Sequence, residues 1–120
     1  MGENREIPVG VAADRPGAAV DLSHLEGQTG GDDRLAREVL GLFVTRVAAD
    51  FERLKSATDP AGRHAAAHTI VGSARAIGAT AVAAIASEIA EARAADADGI
   101  EALGEAIAEA RRFVLAHLGG

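Results

Sequence analysis

The sequence predicts an all-α protein, an antiparallel up-down-up-down four-helix bundle with a short extra N-terminal helix. Three observations lead there. Alanine supplies much of an apolar content of 48% in 120 residues, with no Trp, no Tyr and only Phe43, Phe51 and Phe113 as aromatics. Small helix-favouring side chains with few aromatic or β-branched ones favour closely packed helices over sheets. Apolar residues recur at helical spacing in four long segments, and these are joined by short turn-like connections. Short connections make successive helices antiparallel neighbours.

Residues 1–19 carry glycines, prolines and mixed charge without helical periodicity, and are expected to be a flexible arm ahead of a domain spanning 20–120. "DLSHLEG" then predicts a helical turn from Leu22 to Glu26 ended by Gly27, with Gly30-Gly31 as further punctuation. The first bundle helix is expected over 33–56 with Asp32 as N-cap. Its core face is Leu40, Phe43, Val44, Val47, Phe51 and Leu54, widened by Leu35, Val39 and Leu42. Part of that wide face is an alternative candidate for docking a partner. Asp59 followed by Pro60 is a strong start for the second helix, which is expected to end at Gly78. The third is expected over 80–95, with Val82, Ile85, Ile89 and Ala92 inward. The fourth is expected to be capped by Asp98, with Glu101 in a capping-box position. It runs to about residue 118, turning Ile100, Leu103, Ile107, Ala110, Val114 and Leu118 inward.

Composition narrows the function classes. There is no cysteine, which excludes disulfides and thiolate metal sites and is compatible with a reducing compartment. The net charge is −6 and Arg111-Arg112 is the only adjacent basic pair, so nucleic acid is not the expected partner. No apolar run has the length of a membrane span, and the N-terminus lacks the apolar stretch of a secretory signal. A cytoplasmic location is expected.

The candidate site lies in "AAAHTIVGSARAIGA", residues 65–79. At about 100° per residue, Ala66, Ala67, Ile70, Ser73, Ala74 and Ile77 form the core side of the second helix. His68 falls roughly opposite, sharing the outer face with His64, Gly72 and Arg75 and flanked by Val71. An interior helical glycine costs about 1 kcal/mol relative to alanine. Gly72 does nothing for the core from that position, but it clears space beside the imidazole for another molecule. A nucleophilic triad does not fit, because Ser73 lies on the core side. "GQTGG" lacks the lysine and the preceding strand of a phosphate loop. His64 and His68 stand four apart and can share one metal ion, so a histidine-based metal-binding bundle is an alternative, with its further ligand coming from elsewhere.

Ala67, His68, Ile70, Gly72, Ser73 and the Ile77-Gly78-Ala79 end resemble the signature of histidine-containing phosphotransfer (HPt) domains, close to Ala-His-x-Leu-Lys-Gly-Ser/Ala. "DLSHLEGQTGGDDRLAREVLGLF" is similar to the region leading into the first bundle helix of bacterial members, and the resemblance covers about residues 20–118. It implies a phosphoryl carrier rather than an autonomous enzyme. His68 would accept the group from a receiver-domain aspartate of a hybrid histidine kinase and pass it to a response regulator. Mg²⁺ and the acidic pocket are expected in the receiver, with no cofactor in this chain, and the family favours a monomer. His64, Ala65, Val71, Gly72 and Arg75 are the implied supporting or docking residues, together with nearby residues of the first bundle helix. Two positions depart from the family pattern. Its usual lysine three residues after the histidine is Val71 here, for which Arg75 is the candidate substitute. A polar residue often found on the next helix falls at Ala90, with Glu88 and Glu91 nearby. The missing lysine leaves open a docking module that binds without being phosphorylated.

Overall fold

The computed structural model describes residues 19–92 and 96–119. Among them are five helices and no strand: α1 (Leu22–Thr29), α2 (Asp33–Ser56), α3 (Pro60–Ile77), α4 (Thr80–Ala92) and α5 (Ala97–Gly119). The expected arm, up to residue 18, and the expected tail of α4 over 93–95 lie outside the described residues.

The helix ends follow from local chemistry. Asp32 Oδ1 accepts from the Leu35 amide and Asp59 Oδ1 from the Gly62 amide, each satisfying an amide that has no partner inside its helix. The cap of α5 is Asp96, not Asp98: its Oδ1 accepts from the Gly99 amide at 2.7 Å. "DADG" holds two competing caps. The earlier one adds residues to the helix, and it places a glycine three positions on, where a Cβ would come within 3.0 Å of the Asp96 carboxylate. Asp59 and Gly62 repeat this arrangement at 2.8 Å. Helix α1 also exceeds its expected span. Gly27 sits inside it, and Gly30 ends it in the left-handed conformation at φ 64°.

Within the set α2, α3, α4 and α5 each helix packs on two of the others, in the pairs α2–α3, α3–α4, α4–α5 and α2–α5. Leu40, Leu54, Ile70, Ile77, Val82, Leu103 and Val114 are almost wholly shielded between them. Each such side chain contributes roughly 1.5–3 kcal/mol relative to exposure. The closest pair is α3–α4, whose facing surfaces are largely alanine: Ala66, Ala67, Ala74, Ala83, Ala86 and Ala90 are all buried. Short side chains let the two backbones approach. Helix α1 packs on α2 and α3, and the Asp21 amide just ahead of it donates to the Gly78 carbonyl in the α3–α4 connection at 3.0 Å. A Cβ on Gly78 (φ 76°) would sit 2.8 Å from that of Asp21, so this glycine is demanded by the fold.

Several expected core positions differ. Leu35 and Leu42 are exposed, the latter at 60%, and Ala92 is exposed as well. Val39, Val44, Phe51, Ile85, Ile100 and Leu118 do pack against the core, but only half-buried at its edge, and Ser73 is half-buried too. Val71, expected to flank the outer face, is 4% exposed and belongs to the core. A helical period defines a single core direction, whereas α2 and α4 cover α3 from two sides and widen its buried arc.

Candidate functional site

Helix α3 is anchored at both ends, by the Asp59 cap and by Gly78 in the left-handed conformation. It buries Ala66, Ala67, Ile70, Val71, Ala74 and Ile77 on one side. His68 lies near its middle and is exposed on the other. A side chain there is carried by backbone that cannot shift without disturbing the core.

The surface around His68 is low. Ala65, Thr69 and Gly72 are its exposed neighbours on the helix. Thr69 turns its hydroxyl back to the Ala65 carbonyl at 3.0 Å. A Cβ added at Gly72 would meet no atom within 4 Å. Among the described residues no contact therefore requires that glycine, in contrast to Gly78. The helix gives up about 1 kcal/mol of propensity there and gains open space one turn from the imidazole.

Two of the expected supporting residues turn toward α4. His64 is half-buried, and its Nδ1 donates to the Ala90 carbonyl at 2.9 Å. Its ring stacks on that of His68, with centroids 5.8 Å apart and planes 12° from parallel. Arg75 is exposed and lines an open groove of about 420 Å³ with Thr80, Ala83, Ala84, Ser87, Glu88 and Glu91 of α4. His68 does not line that groove. Arg75 lies seven residues beyond it, roughly 10 Å along the helix axis. The backbone at Arg75 is held by α1, through a hydrogen bond from His24 Nε2 to its carbonyl at 2.9 Å. Val71 is buried and does not line the surface as expected. Ala90, at the position where a polar group was sought, is 5% exposed and takes part through its carbonyl.

On the α2 side, Val39, Leu42, Phe43, Arg46, Ser73, Ala76 and Ile77 line a second groove of about 240 Å³, with Leu42 at its rim. Among the described residues no group of three or more His, Cys, Asp or Glu is placed to hold a metal ion. No described helix is long and apolar enough to cross a membrane.

The partners of His64 and His24 escaped sequence reasoning. The four-residue spacing of His64 and His68 placed them on one face, which is the signal for the ring stack. The acceptors are backbone carbonyls of other helices, and no residue type marks them.

A family model for the Hpt domain matches residues 38–113, from the second turn of α2 into α5. No curated protein and no solved structure matches the chain significantly. The match covers more than half of the chain and holds all of α3, with His68 inside it, and all of α4, so the chain belongs to the Hpt-domain family.

Proposed function

We propose that this chain is a phosphoryl carrier of a phosphorelay and that His68 is its acceptor. The observation that carries the reading is the exposed imidazole at mid-helix beside Gly72, where a Cβ would meet nothing within 4 Å. Phosphoryl transfer depends mainly on positioning and on charge stabilisation. A neutral His68 ring nitrogen attacks the phosphorus of a receiver's aspartyl phosphate. The N–P bond forms as the P–O bond breaks, and the aspartate leaves as a carboxylate with the bonding electrons. The second transfer reverses this toward another receiver. Mg²⁺ and the acidic pocket are the receiver's contribution, so this chain contributes presentation and docking and is no enzyme by itself.

The same reading includes the up-down-up-down arrangement of α2–α5. It is supported by contacts between the start of one helix and the end of its neighbour, His64 with Ala90 and the Arg37 guanidinium with the Leu118 carbonyl. Leu42 and its groove extend the approach surface from α3 onto α2, and Arg75 is the candidate cation for the phosphoryl group. A monomer in the cytoplasm completes the proposal, the lack of cysteine being compatible with a reducing compartment.

Val71 favours a second reading, a docking module that binds receivers without taking the phosphoryl group. Incubation with phosphorylated receiver domains separates the two. Acid-labile label on the wild type and none on His68→Gln supports the carrier. Receivers that bind yet leave no label on either protein favour docking alone.

A further inference from the structure

His68 is exposed, and among the described residues neither of its ring nitrogens has a hydrogen-bond partner in this chain. An exposed histidine so placed rotates among several side-chain wells. What restrains it is the ring of His64. The two rings are 5.8 Å apart and within 12° of parallel, inside the range of stacked aromatic pairs. His64 is itself held from a different helix. A carbonyl only accepts, so the 2.9 Å bond to Ala90 puts the proton on His64 Nδ1 and fixes its ring plane against α4. The chain of contacts runs from the α4 backbone through His64 to His68.

We infer that His64 is a positioning residue for chemistry at His68: it holds the acceptor ring in one orientation through the stack, and α4 holds His64 through the Ala90 carbonyl. This deepens the carrier reading and rests on it. A nucleophile whose lone pair is already aimed loses less freedom on reaching the reactive geometry. The close α3–α4 approach enforced by alanine is what brings the Ala90 carbonyl within reach of His64.

The test uses phosphoramidate, a small phosphoryl donor that needs no docking surface. Its protonated nitrogen leaves as ammonia when the P–N bond breaks and the His68 N–P bond forms. Three variants separate the stack from the hydrogen bond. His64→Phe keeps a ring, His64→Gln keeps a donor for Ala90, and His64→Ala keeps neither. A stacked pair is expected to be worth roughly a two- to tenfold rate difference. The expected ranking is wild type fastest, His64→Phe intermediate because it keeps the stack but loses the Ala90 anchor, and His64→Gln and His64→Ala slowest, by up to that factor. His64→Ala at the wild-type rate, or His64→Phe as slow as His64→Ala, overturns the inference. A nuclear Overhauser effect between the two rings in the unphosphorylated protein tests the geometry without any transfer, and its absence also overturns the inference. Label from phosphoramidate but from no receiver sinks the carrier reading, while the ranking of the variants still decides the part played by His64.

Discussion

Replacing Gly72 is expected to move stability and function in opposite directions. The position is helical, exposed and empty, since an added Cβ meets nothing within 4 Å. Gly72→Ala therefore meets no steric opposition and recovers the full propensity difference of about 1 kcal/mol. For a domain of this size that raises the melting temperature by roughly 4–8 °C. Gly72→Leu gains nearly as much propensity, but its side chain fills the space one turn from His68. If a receiver must enter that space, the overpacking costs roughly 1–3 kcal/mol, or about a 5- to 150-fold loss in transfer rate. Circular dichroism at 222 nm gives the melting temperatures, and a time course with a phosphorylated receiver gives the rates. Labelling by phosphoramidate is expected to stay at the wild-type rate, because a small donor does not need the cleared floor. A Gly72→Leu protein that is more stable and still accepts from the receiver at full speed would refute the argument. So would a destabilised Gly72→Ala, because the space would then not be open.

Three further outcomes are expected. Gly78→Ala forces a side chain into the left-handed region and against Asp21, and is expected to destabilise by about 1–3 kcal/mol in chemical denaturation; an unchanged midpoint would show that α1 does not dock there. Asp50 is 5% exposed, its Oδ2 has no hydrogen-bond partner among the described residues, and its Oδ1 pairs at 3.0 Å with the largely exposed Arg53. Asp50→Asn is therefore expected to leave stability unchanged or raise it by about 1 kcal/mol, and a loss larger than that in a urea titration would mean that the charge is needed. Arg75→Ala is expected to slow transfer from a receiver without lowering the melting temperature; equal rates would remove Arg75 from the mechanism and leave it as a wall of the α3–α4 groove.

The local order of the chain decided a great deal before any packing. Asp32, Asp59 with Pro60, and Gly78 mark helix boundaries because caps and breakers act through backbone groups a few residues away. The outward direction of His68 followed from the 3.6-residue period alone. What only the tertiary structure decided depends on neighbouring helices. Val71 is core rather than surface because α4 covers a flank that the period leaves outside. Gly72 and Gly78 look alike as letters, yet one faces open space and the other faces Asp21. His64 carries no mark of its acceptor, since the Ala90 carbonyl is backbone that any residue type would supply. A one-dimensional pattern specifies which face a residue occupies on its own helix; which faces are covered, and by what, is set by how closely alanine lets the helices approach.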